Sequence, residues 1–368
     1  MITPFTSSKF RFHAFLAMVL LVFVHGYNLN DTYLQPFSLV QEELTFTSFF
    51  EYFTANALFR FRIPMLFAIS GYLFALNDHK PFGERIGKRA RTLLLPYFLW
   101  SGLALLLTFV LQQFPVTAAA VQTAAVDQMG DNRLYSEMRW YELLTRWTLA
   151  PPAFQLWFIR SLFVYNLMYP WLLAGITQQP KIWFPVFALL WLLPVGLFVI
   201  DGTGLLFFTL GIWLAKSGNT LEQAPRRLQP IPAAALFVTL CVLKTLLAFH
   251  LKNNTTTYIW MTLLHKAIML SGLIAVWYGA DAVVRWWMQR PRLSKLTAFS
   301  FIIYALHVPL MNYGYALVKP YVSTLPFYRL TMYFIWPTVI VLFCIGTGAL
   351  LRRFIPKVYG ILTGGRGL

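Results

Sequence analysis

The chain has 368 residues, of which 58% are hydrophobic, 18% aromatic and only 12% charged, with a mean hydropathy of +0.60; a soluble domain carries about a quarter charged residues. This composition excludes a water-soluble enzyme and describes an integral membrane protein. A net charge of +17 and a pI near 10.0 also suit nucleic-acid binders, but here the basic residues flank apolar runs, so topology accounts for them and no nucleic-acid partner is expected.

A hydrocarbon core about 30 Å thick takes roughly 20 apolar residues per helix, each helix satisfying its own backbone. Ten runs are predicted, near 12 to 26, 57 to 76, 93 to 112, 154 to 174, 182 to 200, 203 to 216, 231 to 250, 258 to 280, 297 to 318 and 330 to 351. The 203 to 216 run is short and contains glycine, and the charge pattern argues for keeping it. Lys and Arg gather on the cytoplasmic side of membrane proteins. One set of alternate connections holds Lys9, Arg11, the 77 to 92 loop, Lys181, Lys216, Arg226, Arg227, Arg285 to Lys295 and the tail; the other holds Asp31, Glu42, Glu43, Glu51, the mixed 127 to 146 stretch, Asp201, Lys252, Lys319 and Arg329. The expected fold class is all-α, a polytopic integral membrane protein of about ten transmembrane helices with both termini cytoplasmic, forming a single domain over residues 1–368.

Along the chain, Lys9 and Arg11 before an apolar stretch outline a signal peptide, but no A-x-A site follows, so a retained first helix is expected. Residues 113–153 form an extracytoplasmic loop in this topology. Its second half places Leu134, Met138, Tyr141, Leu144 and Trp147 at helical spacing between charges, which predicts an interfacial amphipathic helix able to lid a site. Cys241 and Cys344 sit in apolar runs as structural thiols. No metal-ligand spacing is present, so no metal is expected, and GxSxG, Walker, GxGxxG and HExxH motifs are missing.

Charged groups inside spans are costly and need a partner, a cavity or an escape route. His25, Arg60, Arg62, Arg160, Lys244, His265, Lys266 and His307 all fall in or near the outer halves of their runs. Arg60, Arg62 and Lys244 stand near run ends, where snorkelling to headgroups is the alternative to a site. Arg160 and Lys266 are roughly 9 to 12 Å inside at 1.5 Å per residue, which favours a cavity. In "SFIIYALHVPL" the positions 300, 304, 307, 311 and 315 read Ser, Tyr, His, Met, Tyr, a mostly polar stripe. His307 reads either as a structural histidine bonded to Tyr304 or a neighbouring helix, or as part of the chemistry. His25 ends the first run beside "GYNLND", where a neutral imidazole can accept a proton from a substrate hydroxyl; an interfacial histidine is the alternative.

Six segments in order, "FHAFLAMVLLVFVH", "IPMLFAISGYLF", "GKRARTLLLPYFLW", "LWFIRSLFVY", "LLFFTLGIWLA" and "SFIIYALHVPL", resemble the membrane-bound acyltransferase 3 family. The resemblance implies transfer of an acetyl or similar short acyl group from a cytoplasmic acyl-CoA to a hydroxyl of an extracytoplasmic carbohydrate or glycolipid, in a plasma membrane of bacterial type. Acyl-CoA is then a donor substrate, and no permanently bound cofactor is expected. His25 is the implied base, with Arg160 and His307 as further catalytic candidates and Arg60, Arg62, Tyr304 and Lys266 as substrate contacts. Lys88 and Arg91 suit CoA phosphates, although positive-inside topology also explains them. The family arginine expected eleven residues before the first-span histidine is Ala14 here, and Arg11, one turn earlier, is the expected substitute. Ser70 beside Gly71 reads as a packing residue. A secondary transporter or flippase is the rival class; it predicts midplane charges and repeated halves, whereas the polar residues cluster outward and no repeat is visible.

Overall fold

The computed structural model describes residues 2–27, 34–35, 37–131, 133–193, 196–197, 199–218, 221–226 and 228–367; Asp31 and Arg227 lie outside them. The protein is an all-α polytopic membrane protein. Its helices are α1 (Pro4–His25), α2 (Phe46–Tyr52), α3 (Arg62–Ala75), α4 (Phe82–Arg89), α5 (Leu95–Leu111), α6 (Pro115–Ala124), α7 (Trp140–Thr148), α8 (Trp157–Gln178), α9 (Pro180–Leu192), α10 (Gly202–Lys216), α11 (Pro230–His250), α12 (Thr255–Gly279), α13 (Asp281–Met288), α14 (Pro291–Leu296), α15 (Ser300–Val322), α16 (Tyr328–Phe354) and α17 (Pro356–Thr363). The strands β1 (Gly196–Leu197) and β2 (Ile200–Asp201) form an antiparallel pair.

Among the described residues, seven stretches are long and apolar enough to cross a membrane: Pro4–His25, Phe46–Ala75, Phe82–Leu111, Pro230–His250, Thr255–Gly279, Pro291–Val322 and Tyr328–Phe354. The other three predicted runs fall on α8, α9 and α10. Helix α8 has 22 residues but carries Arg160, Asn166 and Pro170. At 1.5 Å per residue, the 13 residues of α9 and the 15 of α10 fall short of a 30 Å core. The run predicted to reach residue 200 ends at Leu192, before the β pair.

Sequence signals set many helix starts. Thr3 accepts from the Thr6 N–H at 3.1 Å with Pro4 at the first helical position of α1, and Asp201 accepts from the Gly204 N–H at 3.0 Å to start α10. Both satisfy donors that a helix N-terminus leaves open. Two π-helical turns, Phe53–Leu58 and Ala90–Leu94, interrupt the apolar runs; such turns gather at functional sites.

The chain divides into two compact units, one of Met1–Arg85 and Val164–Thr297, the other of Ile86–Phe163 and Ala298–Leu368. In the first, α3 lies directly against α10. A Cβ on Gly71 would stand 2.0 Å from the Phe208 carbonyl oxygen, and one on Gly211 2.1 Å from that of Ala68. Small residues permit this backbone approach.

In the second unit, the segment predicted as a helix across residues 134 to 147 is helical only in α7. A 3₁₀ turn, Tyr135–Glu137, precedes it, and Met138 is extended. Side-chain oxygens of Glu142 close the α7 N-terminus on the Arg139 N–H at 2.7 Å. Arg146, 2% exposed, bonds Asp127 at 2.8 Å and Asp131 at 3.3 Å, while Trp140 stays 74% exposed. Hydrogen bonds from Arg133 hold the Asp131 carboxyl down at about 2, from an ordinary 3.8. A lowered folded value means the contribution is complete above pH 4 and is lost as pH falls through about 2. Hydrogen exchange across residues 127–146, corrected for intrinsic rates, is expected to accelerate from pH 4 to pH 2; unchanged protection would refute this role for the pair.

Candidate active site

In the first unit, α1 ends at His25 with Gly26 as its cap. Two residues on, the Tyr27 hydroxyl donates to the Leu34 carbonyl at 2.5 Å and accepts from Asn56 Nδ2 at 3.2 Å. Asn56 belongs to the π turn that follows α2. Its Oδ1 accepts from Arg60, and its backbone carbonyl accepts from Lys244 Nζ at 2.6 Å. Lys244 also stands 3.4 Å from His265 Nδ1 and 5.6 Å from the centre of the Tyr52 ring.

Asn56 thus joins the sequence-predicted Arg60 to Lys244, and Lys244 meets His265; Lys244 and His265 were read as individual polar positions. Snorkelling is excluded for Lys244 and Arg62, which are 0% and 3% exposed. Arg62 Nη1 instead bonds the Phe59 carbonyl at 2.8 Å, and Lys266 Nζ lies 5.1 Å from the centre of the Trp191 ring. Nearer the start of α1, Arg11 is exposed, while Lys9 and His13, one helical turn apart, are buried. Lys9 pairs with Asp281 at 2.7 Å and lies 4.7 Å from the Trp277 ring, which the His13 ring also meets, at 5.3 Å.

The second unit holds the other cluster. Arg160 donates to the Leu149 carbonyl, and the Tyr97 hydroxyl to the Thr148 carbonyl at 2.8 Å. The Tyr304 hydroxyl donates to the Gln155 carbonyl at 2.8 Å. His307 Nδ1 donates to the carbonyls of Ile303 and Tyr304, each at 2.9 Å, so the neutral imidazole carries its lone pair on Nε2. The polar stripe read along α15 is broken at Val308, which has non-helical φ/ψ of −108° and 136°. Pro309 has no N–H for the Ala305 carbonyl and its ring crowds that turn. Gln155 Nε2 supplies the missing donor, at 3.1 Å from the Ala305 carbonyl and 3.2 Å from that of Val308.

Residues 15–352 match the acyltransferase domain family whose segments the sequence resembles. The chain belongs to the acyltransferase 3 family. The succinoglycan biosynthesis protein ExoH of Rhizobium meliloti (strain 1021) is 24% identical over 318 residues, covering 85% of this chain and 81% of that protein. No solved structure matches the chain. The protein is thus a membrane O-acyltransferase.

Lys88, on α4, and Arg91, in the second π turn, are exposed in this acyltransferase. Asn56, Gln155 and His13 were not singled out from the sequence, and Lys9 was read only as a topology signal. A signal existed for each, since Asn56 and Gln155 are amides within or beside apolar stretches and Lys9 and His13 lie four apart on one helical face. Gln155→Leu is expected to destabilise the acyltransferase by about 1–3 kcal/mol, because buried carbonyls lose their donor. A thermal midpoint equal to wild type in detergent would rule that out.

Proposed function

We propose that the enzyme moves an acetyl or similar short acyl group from cytoplasmic acyl-CoA to a hydroxyl of an extracytoplasmic carbohydrate or glycolipid, in a plasma membrane of bacterial type. The observation that carries this reading is His25, half-buried at the end of α1 two residues before Tyr27, whose hydroxyl bonds the Asn56 that also accepts from Arg60 and Lys244, in a chain of the acyltransferase 3 family. The relative ExoH is named for succinoglycan biosynthesis, which supports the carbohydrate acceptor.

In this mechanism His25 accepts the proton of the acceptor hydroxyl as the oxygen attacks the thioester carbonyl carbon. The carbon–sulfur bond breaks, CoA leaves as thiolate, and the imidazolium returns the proton. Arg62, in the same unit as His25, stabilises the oxyanion formed between those steps. Arg160, Tyr304 and His307 orient substrate in the second unit. Lys88 and Arg91, both in the second unit, contact CoA phosphates as charge-assisted hydrogen bonds. The 113–153 segment is extracytoplasmic, with α7 at the interface. Liposomes holding the purified protein and labelled acyl-CoA provide the test. Label appearing on a glycan acceptor supports the reading; uptake of the glycan without acyl transfer would replace it with the transporter reading.

A further inference from the structure

Within the second unit, the residues beyond α16 fold back onto the start of α5. Helix α17 ends at Thr363, and Gly364 follows in the left-handed region at φ 61° and ψ 37°, a conformation glycine adopts without steric cost. The Gly365 N–H closes the turn on the Gly360 carbonyl at 2.7 Å. This brings Arg366 Nη1 to the Thr92 carbonyl at 2.8 Å and to the Thr363 carbonyl at 3.1 Å. The guanidinium carbon lies 4.8 Å from the centre of the Phe301 ring, and the Trp100 indole N–H donates to the Leu362 carbonyl at 2.9 Å. A Cβ on Gly364 would stand 2.5 Å from the Thr92 carbonyl oxygen, so the backbone of this strap packs directly on that peptide.

Thr92 sits in the middle of the π turn Ala90–Leu94, between α4 and α5. In α-helical register the donor for its carbonyl would be the N–H of residue 96, which is proline and has none. Arg366 supplies a donor from a distant part of the chain, and its charge makes that bond stronger than a neutral one. Arg91 immediately precedes Thr92, and Lys88 lies about one turn before Arg91; both are exposed. The strap therefore grips the peptide beside the cations assigned to CoA phosphates and leaves their side chains open.

We propose that Arg366 is a positioning residue for the acyl donor, fixing the π turn so that Arg91 and Lys88 meet a CoA phosphate without first having to be ordered. This role rests on the CoA contact in the reaction above and adds the group that prepares it. A turn ordered in advance spares the bound ligand the conformational entropy of ordering it. Arg366 acts through the Thr92 peptide and not on the reacting atoms.

Isothermal titration of CoA into the full chain in detergent, well below the thermal midpoint, tests this without an acceptor. Arg366→Met, unbranched and without a donor, is expected to weaken CoA binding about five- to thirtyfold, the factor attached to ordering one backbone residue. Arg366→Lys, which can still donate to the Thr92 carbonyl, is expected to retain most of the affinity. In a Lys88→Gln/Arg91→Gln background, Arg366→Met is expected to add nothing, because a residue that acts through those cations has no effect once they are gone. Gly364→Ala, whose methyl would press on the same carbonyl, is expected to weaken CoA binding in the same way and serves if Arg366→Met does not fold. Wild-type affinity in Arg366→Met or, in its place, Gly364→Ala would overturn the positioning role, and so would a loss that persists in full without the two cations. If the CoA contact itself is wrong, the Lys88→Gln/Arg91→Gln protein binds CoA as tightly as wild type, which overturns contact and positioning role together. With the contact right and only the positioning role wrong, that protein loses affinity while Arg366→Met keeps it.

Discussion

His25→Ala is expected to lower acyl transfer by about 10²–10⁴-fold, the usual contribution of a positioned general base, with the fold unchanged. The residue is the last of α1 and is half-buried, so truncation leaves no large cavity in a packed core. His307→Ala offers the contrast. Its Nδ1 is committed to carbonyls of its own helix and it is 0% exposed, so that variant is expected to lose stability along with rate. Turnover of labelled acyl-CoA and the thermal midpoint, measured on both proteins, separate the cases. Near-normal turnover by His25→Ala with a stable fold would remove His25 as the base.

The second large effect is structural. Gly211→Ala is expected to destabilise the first unit by about 1–3 kcal/mol or more, because a methyl group at that position would lie 2.1 Å from the Ala68 carbonyl oxygen and backbone cannot step aside as a flexible side chain does. Gly71→Ala is expected to act in the same way against Phe208. The control is Gly346→Ala, within α16, where an added Cβ meets nothing within 4 Å; relief of glycine's helix penalty makes it neutral or slightly stabilising. A thermal midpoint for Gly211→Ala equal to that of Gly346→Ala would show that α3 and α10 separate easily.

Hydropathy made the helical membrane architecture legible, since backbone satisfaction in lipid leaves a long apolar run few alternatives to a helix. The run at 203 to 216 matches α10 within a residue, whereas the end of α9 at Leu192 was harder to read because apolarity alone does not report where a helix stops. The π turn at Phe53–Leu58 has no periodic signature, yet it positions Asn56 between Tyr27 and Lys244. The stripe along α15 was read straight through Pro309, where the helix breaks; that Gln155 repairs the break depends on packing between segments far apart in sequence. Lys244 and His265 were chosen individually as costly polar groups, and their contact at 3.4 Å emerged only from the tertiary arrangement of α11 and α12. The inward-facing groups near the start of α1 were missed because charge near a run end was assigned to topology, although Lys9 and His13 share a helical face that Arg11 does not.

The split of the chain into interleaved segments bears on its biogenesis. Lys244 is made 188 residues after Asn56, a delay of roughly 10 to 40 s at a ribosome adding 5–20 residues each second. Through that interval the π turn resides in the bilayer before the ammonium group that will bond its carbonyl exists. Residues near 362–366 emerge later still, and they bond the 92–100 segment through the Leu362 carbonyl and the Arg366 side chain. Early helices must therefore persist as a partly assembled intermediate, which gives insertion chaperones and membrane proteases a defined window in which to act on the nascent enzyme.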